Sequence, residues 1–471
     1  MKKLLSVLMS LLLFVLCLAG CGGGVDKTKS KPTADGNDVV ITVWSGQAGS
    51  QKIWESLVDE WNAGTGDKKD IFIKWETITD STQLDVAFQN DKLPEIIGLG
   101  SDAQKEKIRL AGKLAAINDL PGGDEFLKEY GEPGVEGANL FDGKQYNVTS
   151  TAQSVGLVYN KDLFVQAGIV DENGEAKPPV TVSELKEYAK KISEIDGVYG
   201  YAMPMGFSLY WTVDVQTAQY FDLDSPATVI DFDTLTVTCP GYKERYQWIL
   251  DMKEEGSLFP DAITLDNDTA RAYFSSGIIG MIPSVSWDYA VYTEQFPTDC
   301  EWAVCEFPAF EGRPVGRKTT TKSGRHAISY KALKDEKTAE ATMEVYKFIY
   351  SVDTRARFYE AGAALSSKND VMDVADSEKE LPQFKQYAEL AELRNTSFVG
   401  EKYTVEGEKF NDLFQKVWMG EMSLDDAIKD FETRSTTALR KAVEKGEYDV
   451  ERQKKVEIAK REFFEEWKKN K

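Results

Sequence analysis

The sequence predicts an α/β fold in which helices flank largely parallel sheets, divided over two or three domains. Short β-branched runs alternate with amphipathic helical segments along most of the chain, as in parallel sheets with crossover helices. The chain has 471 residues, of which 42% are hydrophobic and 11% aromatic, so it can bury large cores. A single core rarely grows to this size, and we therefore expect more than one domain.

The first β-α-β-α-β series follows residue 38, with predicted strands at residues 39–43, 71–75 and 95–99. Trp54 and Trp61 recur at helical spacing with other apolar residues, so we predict a helix whose tryptophans pack in the core. A second helix, marked by Leu84 and Phe88, ends before Pro94. This order of elements implies parallel strands.

A second series begins with a predicted strand at residues 155–159, after which Asn160 can cap a helix. Thr181 and Glu184 form a capping-box pattern at the start of the next helix. Further helices are expected near residues 210–221 and 242–254, and further strands near 198–203, 278–282, 302–307 and 327–330. From residue 338 onward the pattern is mostly helical, and Ser423 can cap one of these helices.

The amino terminus has the pattern of an export signal. Lys2 and Lys3 precede an apolar run at residues 4–16, shorter than the roughly 20 residues that span a bilayer. Leu18-Ala19-Gly20-Cys21 then resembles the lipobox of bacterial lipoproteins, which implies that Cys21 is lipidated and becomes the mature first residue. We assign residues 1–20 to a signal peptide and 21–38 to the lipidated cysteine and a flexible tether. The alternative is an ordinary signal peptide with a chance cysteine.

Composition argues against several classes of function. The chain carries 78 acidic and 56 basic side chains, a net charge of −22, which disfavours a general nucleic-acid binder. Its single histidine, His326, rules out multi-histidine metal sites. Beyond the signal and the lipid site, the cysteines Cys239, Cys300 and Cys305 are too few for a disulfide scaffold, and we expect free thiols. Phosphate-loop, Cys-x-x-Cys and Gly-x-Ser-x-Gly motifs are absent, so we predict no cofactor, metal or catalytic residue.

Several segments in a fixed order resemble the extracellular solute-binding proteins of ABC importers, specifically the large sugar-binding group. They are ITVWSG (41–46), TQLDVAFQNDKLPEIIGLG (82–100), VGLVYNKDLFVQAGI (155–169), PPVTVSELKEYAKKI (178–192) and FSSGIIGMIPSVSW (274–287). In the last segment Ser286 stands where a glycine is usual. The resemblance covers roughly residues 39–440.

The resemblance implies a two-lobed fold of the type II periplasmic-binding-protein kind, with a ligand cleft between lobes joined by two or three crossing strands. We expect an N-terminal lobe of residues 39–150 plus about 280–330. The C-terminal lobe would then comprise residues 151–279 plus about 331–471. The expected partners are a carbohydrate ligand, the permease subunits of an ABC importer and, through the lipid, a membrane; the receptor itself is expected to be a monomer.

Ligands of open α/β sheets bind beyond the carboxyl ends of the strands, and the turns there supply the candidate site. A sugar ring offers C–H faces to aromatic rings and hydroxyls to polar groups; Trp44, Trp211 and Trp287 would supply the faces. The predicted site comprises Trp44, Ser45, Gly46, Asp80, Ser101, Tyr210, Trp211, Ser286, Trp287, Asp288, Arg325 and His326. Core packing is the alternative for the aromatic residues, and solvated loop positions are the alternative for Asp80, Arg325 and His326.

The predicted function is a lipid-anchored receptor that captures a mono- or oligosaccharide by hinge closure and delivers it to a permease. One alternative is a binding lipoprotein for another solute, such as a peptide or polyamine. Another is a secreted glycoside hydrolase, which would need two carboxylates about 5–10 Å apart. With 78 acidic residues such a pair cannot be excluded by counting.

Overall fold

The computed structural model describes residues 36–46, 50–206, 208–221, 228–313, 319–379, 381–390, 393–395 and 403–469. The predicted signal peptide, the lipidation site Cys21 and most of the tether lie outside these residues. The strands are β1 Val39–Ser45, β2 Ile71–Thr77, β3 Ile96–Gly98, β4 Leu114–Ala115, β5 Leu140–Phe141, β6 Lys144–Gln145, β7 Thr151–Gln153, β8 Val155–Asn160, β9 Tyr199–Tyr201, β10 Val229–Asp231, β11 Thr236–Thr238, β12 Ile279–Val285, β13 Trp302–Cys305, β14 Thr319–Ser323, β15 Ala327–Ser329, β16 Leu365–Ser366 and β17 Leu393–Asn395.

The α-helices are α1 Gln51–Trp61, α2 Asp67–Lys69, α3 Thr82–Gln89, α4 Asp102–Leu110, α5 Gly123–Tyr130, α6 Lys161–Gln166, α7 Val182–Ile192, α8 Val215–Thr217, α9 Tyr242–Glu255, α10 Asn267–Ser275, α11 Asp288–Ala290, α12 Glu336–Tyr350, α13 Val352–Glu360, α14 Pro382–Leu390, α15 Phe410–Met419, α16 Leu424–Glu444 and α17 Val450–Lys469. Short π-helical and 3-10 turns join several of them. None of the described helices combines the length and the apolar character that crossing a membrane requires.

The first lobe is built on a five-stranded sheet with the order β2-β1-β3-β15-β4. β1 runs parallel to both β2 and β3, which confirms the predicted parallel series, and β15 joins antiparallel to β3. Ile41 and Val43 are fully buried on one face, in a core that includes Trp54 and Trp61. Those two side chains are 3% and 8% exposed, so the predicted core packing of α1 is confirmed.

The second lobe is built on a four-stranded sheet with the order β13-β8-β12-β9. β8 pairs antiparallel with β12 and with β13, whereas β9 runs parallel to β12. The predicted helix caps in this lobe are present. Asn160 accepts a hydrogen bond from the backbone N–H of Leu163 at 3.1 Å, and Thr181 accepts one from Glu184 at 3.1 Å. Ser423 likewise accepts from Asp426 at 3.1 Å and begins α16.

A small third sheet, with the order β16-β7-β14-β17, carries the chain between the lobes. β7 leads directly into β8 of the second lobe, and β14 returns the chain to β15 of the first. β16 crosses again, between α13 and α14. Three crossing strands in the described part of the chain therefore join two α/β lobes, and the predicted two-lobed fold class is confirmed.

The structure corrects the division of the chain between the lobes. The sequence assigned residues from about 280 to 330 to the first lobe, yet β12 and β13 pair with β8 in the second sheet. The chain returns only at β14 and β15. Conversely, α12 and α13, assigned to the second lobe, pack on the first sheet, because Ile349 and Phe358 share a core with Val43.

Candidate functional site

The candidate site lies where loops from both lobes meet the crossing sheet. Ser150, just before β7, donates a 3.1 Å hydrogen bond from Oγ to the carbonyl oxygen of Gly324, the residue before Arg325. Ser286, at the end of β12, donates its backbone N–H to the carbonyl oxygen of Ser154 at 3.0 Å. Because β7 lies between Ser150 and Ser154, one loop from each lobe contacts the same short crossing strand.

Two of the three predicted stacking tryptophans lie against each other on the second lobe. The ring centroids of Trp211 and Trp287 are 5.6 Å apart and their planes meet at 76°. Both side chains are half-buried, so each retains an exposed part. Trp287 directly follows β12, and Trp211 lies in the π-helical turn Tyr210–Asp214. The side chain of Tyr210, also predicted for the site, lies outside the described residues.

Asp288, predicted to bind ligand, instead belongs to an internal network beneath Trp287. Its carboxylate is ion-paired with Arg271 and accepts hydrogen bonds from Ser284 Oγ at 2.7 Å and from the backbone N–H of Val285 at 3.1 Å. Asp288 is 3% exposed, and burial raises the pKa of its carboxyl group against the opposing charge of Arg271. The expectation that Asp288 offers a free acceptor is therefore corrected. Ser286 is buried as well, at 3% exposure.

A second buried ion pair involves Asp214, the last residue of the turn that carries Trp211. Arg245 of α9, with no exposed surface, donates to the Asp214 carboxylate at 2.8 Å and to the Asp214 carbonyl oxygen at 2.9 Å. Its Nε donates to Thr217 Oγ1 at 2.8 Å. The hydroxyl of Tyr246 also donates to the Asp214 carboxylate, at 2.9 Å. Burial raises the pKa of Asp214 to about 6, against the opposing effects of Arg245 and Tyr246.

Trp44 lies on the first lobe, at the carboxyl end of β1. Its indole Nε1 donates to Glu76 Oε2 at 2.7 Å, and its half-buried ring packs against a core that contains Leu84 and Ile97. Glu76 also pairs with Lys74 at 2.8 Å, and the hydrogen bond from Lys74 holds the pKa of Glu76 below its usual value. The sequence prediction missed Glu76. It lies at the end of β2, so the carboxyl-end rule applied to that strand would have found it.

Ser45 and Gly46 follow Trp44 at this edge of the first sheet. The side chain of Ser45 is buried at 1% exposure, while Gly46 is exposed. The backbone carbonyl of Ser45 accepts from Ile78 at 2.8 Å. The structure therefore brings Gly46 to the surface of the candidate site and turns the Ser45 side chain into the lobe.

Asp80 and Ser101 have structural roles at the starts of helices. The Asp80 carboxylate accepts from the backbone N–H of Thr82 at 2.9 Å, and hydrogen bonds from Thr82 lower its pKa. Ser101 forms a capping box with Gln104: its Oγ accepts at 3.2 Å and its N–H donates back at 2.9 Å. Both residues are exposed at the predicted edge of the first lobe, but the structure gives each a local capping function.

Arg325 provides the cationic part of the first-lobe loop. Its Nη1 lies 3.0 Å from Asp102 Oδ2, and its backbone carbonyl accepts from Lys105 Nζ at 2.8 Å. Asp102 and Lys105 belong to α4, which follows β3, so the loop and this helix join at the carboxyl edge of the sheet. Lys105 was not predicted, and its only sequence signal is its position one turn into the helix after β3.

His326, also predicted for the site, lies in the first-lobe core. It is 4% exposed, and its ring contacts Trp54, Trp75 and Tyr350 with centroids 5.9–6.3 Å away. Burial among these rings, with a further contribution from Lys105, lowers its pKa to about 3. The histidine is therefore a neutral core residue, which corrects its assignment to the cleft.

The chain matches the family model of bacterial extracellular solute-binding proteins over residues 39–391. It belongs to that family. The match covers both main sheets and the crossing strands, and it ends before the carboxyl-terminal helices α15 to α17.

Relatives and solved structures of similar fold are binding proteins. The sn-glycerol-3-phosphate-binding periplasmic protein of Brucella abortus is 23% identical over 334 residues, 68% of this chain and 73% of the relative. The sugar-binding protein MalE of Xanthomonas citri has a TM-score of 0.65 at 17% identity, covering 87% of this solute-binding protein and 100% of MalE. The cyclic α-maltosyl-1,6-maltose binding protein of Arthrobacter globiformis has a TM-score of 0.61 at 21% identity, and the match covers 85% of this chain and 99% of the Arthrobacter protein.

The described part of this solute-binding protein offers no group of three or more His, Cys, Asp or Glu side chains that could hold a metal ion. Cys239, Cys300 and Cys305 are free thiols.

Proposed function

We propose that this protein is the receptor of an ABC importer and that it binds a mono- or oligosaccharide between its lobes. The observation that carries the proposal is the pair of half-buried rings, Trp211 and Trp287, set at 76° beside the crossing strands. Two indoles at a steep angle form an aromatic corner, which suits the apolar C–H faces of a sugar ring. Such a corner has less to offer an anionic solute, because the faces of aromatic rings carry negative charge density.

The first lobe supplies groups of the complementary chemistry. Glu76, oriented by Trp44, provides a carboxylate, and Arg325 with Lys105 provides cationic donors at the same edge of the sheet. Sugar hydroxyls both donate and accept, so a ligand between an aromatic second lobe and a polar first lobe can satisfy both faces. Among proteins of similar fold, one is named a chitin oligosaccharide binding protein and another is named for raffinose, which agrees with this proposal.

Capture would proceed by closure of the lobes about the crossing sheet. A ligand that contacts both lobes adds interactions only in the closed arrangement, and it therefore shifts the population toward that arrangement. The permease would recognise the closed form. No chemical step is needed, and we propose that the protein is not an enzyme: labelled oligosaccharide incubated with it should be recovered intact.

A ligand panel tests the carbohydrate proposal directly. Melting temperature is measured with maltose, raffinose and chitin oligosaccharides, with peptides and polyamines, and with sn-glycerol 3-phosphate. Ligand at about one hundred times Kd stabilises a protein by about 2.7 kcal/mol, and for a chain of this size we expect at least one carbohydrate to raise the melting temperature by roughly 3 °C. Calorimetry then measures the affinity. A shift with peptide, polyamine or glycerol phosphate and with no carbohydrate would refute the proposal.

We further propose that the receptor is held at the outer face of the cytoplasmic membrane by lipid on Cys21, and that it acts there as a monomer. The support is the sequence Leu18-Ala19-Gly20-Cys21. Two or three acyl chains hold a protein firmly at a bilayer. The flexible tether would allow the lobes to reach the permease.

Replacing Cys21 by alanine removes the thiol that would carry the lipid. In a detergent phase partition of the native host's membranes, we expect the unmodified protein in the detergent phase and the Cys21→Ala protein in the aqueous phase. Cys239→Ala is the matched control, because this buried thiol has no place in an anchor. The anchor proposal fails if the unmodified protein also partitions into water.

A further inference from the structure

Each aromatic residue of the candidate site lies within three residues of an aspartate that forms a buried ion pair with an arginine. Asp214 lies three residues after Trp211 and pairs with Arg245 at 2.8 Å. Asp288 is the residue after Trp287 and pairs with Arg271. The two arginines are 0% and 9% exposed and the two aspartates 7% and 3%. Each pair joins the segment that carries its tryptophan to a helix of the second lobe.

The Arg245 contacts are concentrated on one short segment. Its hydrogen bonds go to the Asp214 carboxylate, the Asp214 carbonyl oxygen and Thr217 Oγ1, at 2.8–2.9 Å. The first two acceptors belong to the π-helical turn Tyr210–Asp214, and the third lies three residues farther along. A π-helical turn is rare and is frequently found at functional sites. Arg245 bonds directly to the end of the turn that carries Trp211.

The second pair holds the other ring in a comparable way. Asp288 accepts from Ser284 Oγ at 2.7 Å and from the backbone N–H of Val285 at 3.1 Å, which fixes the turn between β12 and Trp287. Arg271 comes from α10 and pairs with the same carboxylate. The orientation of Trp287 is thereby tied to the helix packed beside β12.

Stability alone is a poor explanation for these pairs. Removing two charges from water is unfavourable, and well-packed apolar residues of similar volume often stabilise a protein as much or more. What a buried pair does provide is a fixed direction, since its hydrogen bonds form only in one geometry. Two such pairs, one on each of the segments that carry the adjacent rings, therefore indicate that the orientation of the rings matters.

We infer that Asp214–Arg245 and Asp288–Arg271 act as positioning residues, which hold Trp211 and Trp287 at a fixed angle and so set the shape of the aromatic corner. The inference rests on the proposed function, because it takes the corner to be the ligand site. The inference further predicts that ligand affinity depends on these four charged side chains, which act through the two rings and not by contacting the ligand.

The test uses substitutions that weaken one pair while the fold is kept. Thr217→Val removes one partner of Arg245 and retains the ion pair, whereas Asp214→Asn removes the charge with little change in shape. Thr354→Val is the matched control. Thr217 Oγ1 donates to the Val213 carbonyl oxygen at 2.7 Å, and Thr354, an equally buried helical threonine of the first lobe, donates to the Phe348 carbonyl oxygen at 2.8 Å. Melting temperature and Kd for the carbohydrate found in the panel are measured for each.

A spectroscopic measurement reports the ring angle without any ligand. Two indoles this close produce an exciton couplet in the circular dichroism spectrum, and its sign and size depend on their mutual orientation. Trp54 and Trp75, stacked at 4.2 Å, produce another, so the couplet of the corner is taken as the difference between the unmodified protein and Trp287→Phe.

We expect Thr217→Val to weaken carbohydrate binding by about three- to tenfold, part of the contribution of one ring, and to reduce the couplet of the corner. Asp214→Asn should reduce both the affinity and the couplet further. Thr354→Val should lower the melting temperature about as much as Thr217→Val does, but it should leave the affinity and the couplet unchanged. If Thr217→Val and Asp214→Asn lower only the melting temperature, the pairs are merely structural and the inference is overturned.

Failure of the proposed function gives a different result. Should carbohydrate bind with equal affinity to the unmodified protein and to Trp287→Ala, the corner is not the ligand site. The couplet still decides whether the pairs fix the ring angle, because it is measured on the ligand-free protein. A couplet unchanged by Asp214→Asn refutes the positioning role whatever the ligand.

Discussion

Replacing Trp287 by alanine is expected to weaken carbohydrate binding by about tenfold to a hundredfold, because burying a large apolar side chain contributes roughly 1.5–3 kcal/mol. Trp287 is half-buried and contacts Trp211 at a centroid distance of 5.6 Å, so part of its ring remains available to a ligand. Calorimetry measures the affinity, and the melting temperature of the ligand-free protein is measured in parallel. We expect that melting temperature to stay close to the unmodified value.

Trp61→Leu provides the matched control for this substitution. Trp61 is 8% exposed and packs beside Phe348 in the first-lobe core, with ring centroids 5.8 Å apart. Its loss should lower the melting temperature and leave the affinity of the folded protein unchanged. A Trp287→Ala protein that behaves in the same way, losing melting temperature but no affinity, would show that Trp287 is a core residue.

The parallel part of the fold could be predicted from local signals. The β-branched runs at β1, β2 and β3 and the apolar helical spacing of α1 identify a parallel series without any knowledge of long-range contacts. The caps at Asn160 and Thr181 are equally local, since each depends on residues three or four positions apart. Local signals of this kind predict strands, helices and caps correctly because these elements form in the same way in either lobe.

The division between lobes could not be predicted in the same way. β12 is a fully buried apolar strand, and its sequence fits the interior of either sheet. Its partner is chosen by antiparallel pairing with β8, more than one hundred residues earlier in the chain. The sequence contains no mark of that pairing, and the boundary was therefore placed about forty residues too early.

The location of the candidate site stays a prediction, while the structure corrects the exposure expected of the Asp288 and His326 side chains. The carboxyl-end rule selected the loops at Trp287 and Arg325, which the structure brings to the crossing sheet. The same rule cannot distinguish a polar side chain that faces the ligand from one that is bonded within the lobe. Asp288 and His326 belong to the second kind, because their partners Arg271 and Tyr350 come from separate helices.

The chain's single histidine leads to a prediction about pH. His326 is 4% exposed, and its pKa is lowered to about 3 from the ordinary value of 6.5. Below pH 6.5 the unfolded chain takes up a proton on this ring and the folded protein does not, so acid favours unfolding. The free energy of unfolding should therefore fall as the pH drops from about 6.5 toward 3, and by pH 4.5 the loss from this one group is about 2–3 kcal/mol.

The variant His326→Asn isolates that contribution, because asparagine retains a hydrogen-bonding atom near the Gly324 carbonyl but does not titrate. Carboxyl groups, including Asp214, titrate in both proteins and cancel in the comparison. Denaturant unfolding at a series of pH values between 4.5 and 7.5 measures the difference. We expect the unmodified protein to lose about 2–3 kcal/mol more than the variant over this range, with the gap opening below pH 6.5. Parallel curves for the two proteins would mean that the ring is protonated as easily in the folded state as in the unfolded one, and hence that His326 is exposed to solvent in the cleft.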